Sequence, residues 1–179
     1  MSVNGKTLIV LSGSGFLGRR VIQEAVKNGW RIKALARSDR SAAAVAAAGA
    51  SVLNGEADNP GRWLREVEGA DAIIDLIQPP RPKRLGRSQM RKISRQRQGF
   101  TRALVEALLT LNADRRPRLI SVSGIDDLAP DADGFLSASS ELSRRESGFN
   151  AIGIPAHKII QSTGIESSFV YLASVYGPG

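Results

Sequence analysis

The sequence predicts an α/β protein built on a doubly wound parallel sheet of about six strands with helices on both faces. Three observations carry that expectation. Short β-rich apolar runs recur along the chain, stretches with helical spacing separate them, and a glycine-rich turn joins the first run to the first helical stretch. Thr7–Leu11 (TLIVL) is apolar on both faces and reads as a buried strand. Residues 16–28 follow with Leu17, Val21, Ile22, Ala25 and Val26 at helical spacing, and Gly29 supplies a C-terminal stop. Arg31–Ala36 (RIKALA) alternates like a second strand. Residues 38–48 are Ala-rich, with Ser38 or Ser41 placed to cap a helix and Gly49 to end it. Ser51–Asn54 is a third strand, 60–67 a helix opened by Pro60, and 72–77 (AIIDLI) a fourth strand. Beyond the Gln78-Pro79-Pro80 break and a basic stretch, 100–111 reads as a helix and 118–123 (RLISVS) as a fifth strand. A loop rich in Asp and Gly occupies 124–134. The region 139–162 is helical in places, interrupted by Gly148, Gly153 and Pro155, and 169–173 (FVYLA) is the sixth strand.

Composition narrows the function classes. A chain of 179 residues, 42% of them hydrophobic, suits one domain able to bury roughly 70% of its unfolded surface. No apolar run approaches the roughly 20 residues that span a bilayer. The absence of Cys removes disulfides, thiol catalysis and Cys-ligated zinc, and the single His argues against a histidine-rich metal site. The first residues lead straight into a strand without a signal-peptide pattern, so a cytoplasmic location is expected. The net charge of +8 is local: nine basic residues and no acidic ones fall between Arg81 and Arg102, leaving sixteen basic against seventeen acidic elsewhere. That stretch carries one aromatic, Phe100, whereas single-strand nucleic-acid platforms interleave several. The expectation is a solvated loop leading into the basic outer face of a helix. Nucleic acid and membrane are not expected partners, and polyanion binding stays as an alternative.

The sharpest local signal is Gly13-x-Gly15-x-x-Gly18, set between the first strand and the first helix. Glycines there permit a tight turn, let backbone N–H groups approach a diphosphate, and let the helix pack close to the sheet. The helix N-terminus adds unpaired N–H groups and partial positive charge. The nucleotide is decided at the end of the second strand, where an acid would bond a ribose 2′-hydroxyl and an Arg would accommodate a 2′-phosphate. The chain has Arg37 and Ser38 there and no carboxylate before Asp39. NADP(H) is therefore favoured over NAD(H), with Arg40 as a second phosphate partner.

The sequence resembles the extended and atypical members of the short-chain dehydrogenase/reductase family, which includes NAD(P)-dependent epimerases and dehydratases on a Rossmann fold. Ser12-Gly13-Ser14-Gly15-Phe16-Leu17-Gly18 is similar to that family's G-x-x-G-F-L-G turn, with Ser12 standing for its first Gly. Gly55-Glu56-Ala57-Asp58 resembles the family's G-D-x-x-D segment, and Gly69-Ala70-Asp71-Ala72-Ile73-Ile74 its entry to the fourth strand. Gly99 with the following apolar helix resembles its N-x-x-G-T helix. Val175-Tyr176-Gly177-Pro178-Gly179 matches its V-Y-G-P-G segment. The resemblance implies that the 12–18 turn holds the diphosphate, that Glu56 and Ala57 border the adenine, and that Ile77 and Gln78 pass near the ribose and nicotinamide. It also implies that Ser123 stands for the Ser/Thr that bonds a substrate oxygen, with Gly124 competing for the position.

The family's chemistry uses a Tyr-x-x-x-Lys pair in which Lys lowers the Tyr pKa for proton exchange. The chain's two tyrosines, Tyr171 and Tyr176, have no Lys four residues later. Counting back from Gly164-Ile165 puts Phe149 at the Tyr position and Gly153 at the Lys position. His157 and Lys158 are expected to face solvent, and Asp126 and Asp127 to sit in a solvated lid. Family members usually continue into a smaller substrate-binding region. The expectation is one dinucleotide-binding domain over 1–179 with that region absent. The function expected is thus an NADP(H)-binding protein of the oxidoreductase or epimerase/dehydratase class, acting on a small molecule and compatible with a homo-oligomer. Its alternatives are a non-catalytic dinucleotide binder or redox sensor, and a polyanion-binding module.

Overall fold

The computed structural model describes residues 5–79 and 86–177. Pro80, the Arg81, Lys83 and Arg84 part of the basic stretch, and Pro178-Gly179 of the last motif lie outside the described residues. Six strands form one sheet: β1 (Thr7–Leu11), β2 (Arg31–Ala36), β3 (Ser51–Asn54), β4 (Ala72–Asp75), β5 (Arg118–Gly124) and β6 (Ser167–Leu172). All pair in parallel in the order β3-β2-β1-β4-β5-β6. Among the described residues four α-helices cover it: α1 (Phe16–Lys27), α2 (Asp39–Ala47), α3 (Arg87–Leu109) and α4 (Asn150–Ser162). This is the doubly wound architecture the alternation predicts.

Strand periodicity divides the core between two faces. Leu8 and Val10 of β1 join Ile32, Ala34, Ile22 of α1 and Val45 of α2 on one face. Ile9 and Leu11 join Ile73, Leu119, Leu104 and Leu108 of α3 and Ile160 of α4 on the other. Both sides of β1 are covered, which is why TLIVL is apolar throughout.

Besides the sixth strand, which runs Ser167–Leu172 against an expected 169–173, four elements differ from the sequence-based expectation. The helix expected at 60–67 is two short 3-10 turns, Pro60–Arg62 and Leu64–Glu66. Trp63 between them is fully buried and its Nε1–H donates to Glu56 O at 2.9 Å, so burying that ring breaks the helix. The fourth strand stops at Asp75, whose carboxylate accepts the Ile77 N–H at 3.0 Å. The helix expected at 100–111 begins at Arg87, so residues 87–99 are helix and not loop. Ile93, Arg97, Thr101, Leu104 and Leu108 form its buried stripe, while Arg91, Lys92 and Arg95 stay exposed as the basic outer face. Polar Arg97 and Thr101 hide the stripe from an apolar count. Finally, α4 runs unbroken through Gly153 and Pro155. Proline lacks the N–H that would bond the carbonyl four residues back. That carbonyl, Ala151 O, instead accepts from Ser94 Oγ of α3 at 2.6 Å.

Candidate functional site

The turn after β1 is shaped by close approach. Ser12 has φ 65, the only positive φ of a non-glycine among the described residues, and its carbonyl accepts the Gly15 N–H at 3.2 Å. A Cβ on Gly13 would stand 2.8 Å from Ala34 Cβ and 3.0 Å from Ile22 Cδ1. A Cβ on Gly18 would collide with Ser12 O and the Gly13 backbone. These two glycines let α1 seat against β1 and β2. Gly15 plays another part: it is the N-cap residue of α1, which has no side-chain cap and no acidic residue in its first turn. The first amides of α1 therefore keep their hydrogens for an outside acceptor, and the helix dipole favours an anion there.

The turn opens on a cleft of about 680 Å³ at the carboxyl ends of β1, β4 and β5. Ser12, Gly15, Phe16, Leu17 and Gly18 form one wall, Gln78 and Pro79 a second, and Ser123, Asp126, Asp127, Phe149 and Gly153 a third. Ala173, Ser174 and Val175 close one end, and Gly177 packs so near the Phe16 ring that a Cβ there would stand 3.1 Å from Cζ. The strand order reverses at β1, with β2 on one side and β4 on the other, the place where such sheets bind ligands.

Other sequence-predicted residues lie outside this cleft. Gly13 is buried beneath it and Ser14 is half-buried in the turn. Arg37 follows β2 directly, exposed, its N–H donated to Ser41 Oγ at 3.1 Å. Ser38 is the N-cap of α2, sharing a reciprocal capping pair with Ser41. Glu56 is exposed past β3, with its carbonyl on Trp63, while Ala57 and Ile77 pack against the core. Arg37, Ser38, Glu56 and Ala57 thus share the carboxyl ends of β2 and β3, on the far side of β1 from the cleft.

Three buried polar groups escape the sequence reading. Arg97, expected on a solvated stretch, is 3% exposed and pairs with Asp75 at 2.7 Å; both side chains are dry. The signal for it was Asp75, a carboxylate inside the otherwise apolar AIIDLI. His157, expected in solvent, is buried: its ring stacks on Phe169 at 3.6 Å between centroids and its Nδ1 pairs with Tyr171 Oη at 2.6 Å. Burial lowers its pKa. Lys158 does face solvent, paired with Glu146. Asp127, expected in a solvated lid, is 2% exposed and accepts from Ser123 Oγ at 2.6 Å. Desolvation raises its pKa to about 6, with the Ser123 hydrogen bond and Arg97 opposing and Asp126 assisting. Tyr171 is pushed up to about 12 by burial and by Asp127.

Among the described residues no helix is long and apolar enough to cross a membrane. None of their His, Cys, Asp or Glu side chains form a group of three able to hold a metal ion.

The amide cradle and the reversed strand order are those of dinucleotide-binding domains, and comparison with known proteins agrees. A family described as NAD(P)H-binding matches residues 13–151, and the chain belongs to it. Photosystem II assembly factor Ycf39 of Synechocystis is 34% identical over 68 residues, covering 38% of this chain and 21% of that protein. The crystal structure of UDP-N-acetylglucosamine 4-epimerase from Bacillus cereus superposes with a TM-score of 0.70 at 16% identity, over 97% of this chain and 62% of the epimerase. Vestitone reductase from alfalfa gives 0.65 at 18% identity, over 93% and 56%. The chain is thus similar in fold to NAD-dependent epimerases, dehydratases and reductases and spans about half the length of those enzymes.

Proposed function

We propose that the protein binds NADP(H) in preference to NAD(H) and serves an oxidoreductase or epimerase reaction on a small carbonyl or hydroxyl compound. The residues present fit the dinucleotide. Uncapped amides at the start of α1 suit the diphosphate, and the cleft continues from them past Gln78 to Ser123. When bound, the nicotinamide supplies or accepts a hydride. Everything else falls to the chain's own groups.

One observation carries the preference for the phosphorylated cofactor. Arg37 leaves β2 exposed at the edge where a 2′-substituent would lie, and β2 itself carries no carboxylate. A planar guanidinium suits a phosphate dianion, whereas a ribose diol calls for an acceptor. The test is nucleotide fluorescence on titration with NADPH and NADH. Tighter NADPH binding, reduced to the NADH level in Arg37→Ala, is the expected result. Equal affinities in the unaltered protein overturn the preference, and absence of both overturns cofactor binding.

A second reading, a non-catalytic dinucleotide binder, is favoured by Phe149 and Gly153. Both line the cleft on the same wall as Ser123, at the positions where the resemblance places Tyr and Lys. Neither side chain exchanges a proton. Turnover of NADPH with a panel of small ketones and aldehydes separates the two readings.

A further inference from the structure

Gly153 is a filled position. A Cβ built on it would collide with Ser123 Oγ and with both carboxylate oxygens of Asp127. The space a side chain would take on α4 is occupied by a Ser–Asp pair reaching across from β5 and the 3-10 turn Ile125–Asp127. Ser123 is half-buried and lines the cleft; Asp127, bonded to it, is buried and reaches the cleft lining only by its edge. The groups facing Asp127 come from every neighbouring element. They are Arg97 of α3, Asp126 beside it, Tyr171 of β6, and His157 of α4 through its bond to Tyr171. Arg97 Nη2 is held by Asp75, and Nη1 is buried without a hydrogen-bond partner. This guanidinium leaves a carboxylate at 127 tolerable, while desolvation and Asp126 oppose it, so both protonation states are accessible near pH 6.

A hydroxyl has a single hydrogen and two lone pairs. With Asp127 ionised, the Ser123 hydrogen is committed to Oδ2, and Ser123 offers the cleft only an acceptor. With Asp127 protonated, the carboxyl O–H donates to Ser123 Oγ and the serine hydrogen turns to the cleft. We propose that Ser123 and Asp127 form a switch that presents an acceptor to the cleft when Asp127 is ionised and a donor when it is protonated. One site then takes a hydroxyl in the first state and a carbonyl oxygen in the second. Ser123 touches the ligand and Asp127 acts through it as a positioning residue. The switch rests on reading the cleft as the ligand end of the dinucleotide site. It fills the place in which the chain lacks a lysine.

The test uses the full chain with 13C-labelled aspartate carboxyls, and with cyclohexanone and cyclohexanol as probes followed by saturation-transfer NMR. Asp127 is expected to titrate near pH 6, and higher in Ser123→Ala, which loses the hydrogen bond to the ionised form. Between about pH 8 and about pH 5 the ketone signal rises about threefold or more while the alcohol signal falls, the worth of one net hydrogen bond. Asp127→Asn carries no titrating carboxyl, so its ketone-to-alcohol preference is expected to be the same at every pH. An Asp127 midpoint in the ordinary carboxylate range overturns the switch, as do probe signals that are absent, flat with pH, or still pH-dependent in Asp127→Asn. A parallel NADPH titration keeps the readings apart. Nucleotide binding with no Asp127 step defeats the switch alone, and a step with no nucleotide binding defeats the cofactor reading alone.

Discussion

At the scale of single residues, buried charge decides the pH behaviour. The folded protein holds the Asp127 pKa at about 6 against 3.8 for a free carboxyl, so the fold favours the protonated form. The associated stability is present below the free value and is lost as pH rises through about 6. At neutral pH the ionised carboxylate weighs against folding by about 2 to 3 kcal/mol. Asp127→Asn should therefore melt higher than the parent at about pH 8 and alike at about pH 4, in calorimetric scans. His157 acts in the opposite sense: its pKa is lowered by burial, so stability present above 6.5 is lost as pH falls through the depressed value. The Asp75–Arg97 pair is a third case. Its two side chains are 2% and 4% exposed, and removing one partner leaves the other charge buried without its ion pair. Asp75→Leu is expected to cost about 3 to 5 kcal/mol in urea unfolding, and the double variant Asp75→Leu/Arg97→Met distinctly less.

At the scale of elements, α3 and α4 stabilise one another through a hydrogen bond that Pro155 creates. Ala151 O would be an orphaned carbonyl inside α4 were Ser94 Oγ not 2.6 Å away on α3. Ser94→Ala is expected to cost about 1 to 3 kcal/mol. In a Pro155→Ala background, residue 155 regains an N–H for Ala151 O, so the same change should cost much less. A double-mutant cycle by chemical denaturation reads the difference. Both helices show where sequence patterning stops being legible. The inward stripe of α3 contains an Arg and a Thr, which only partners on other elements make tolerable. Thr101 Oγ1 donates to Arg97 O at 3.0 Å, and Arg97 itself reaches β4. Proline in α4 reads as an interruption because the rescuing hydroxyl is 57 residues away in the chain.

At the scale of the whole molecule, strand order turns two local motifs into one site. The crossover from β3 to β4, on the other side of β1, brings the Ser123 end of β5 beside the cleft into which the glycine turn opens. A ligand bound there contacts both halves of the sheet, so it should stabilise the fold by mass action. NADPH at about a hundred times its dissociation constant is expected to add about 2.7 kcal/mol, seen as a raised melting temperature. Gly18→Ala should abolish the shift and lower the unliganded melting temperature as well, because its Cβ meets the rigid backbone of Ser12 and Gly13.

From the amino-acid order alone came the alternating strands and helices, the glycine turn, the Arg37-Ser38 edge and the family resemblance. Each of these depends on neighbours within a few residues: a period of two or 3.6, a cap, or a turn that needs glycine. Only the tertiary structure decided which charges are dry. Asp75 with Arg97, Ser123 with Asp127 near Gly153, and His157 between Phe169 and Tyr171 are brought together by packing between elements. Desolvation and pairing depend on distance in space, and one-dimensional spacing carries no record of it.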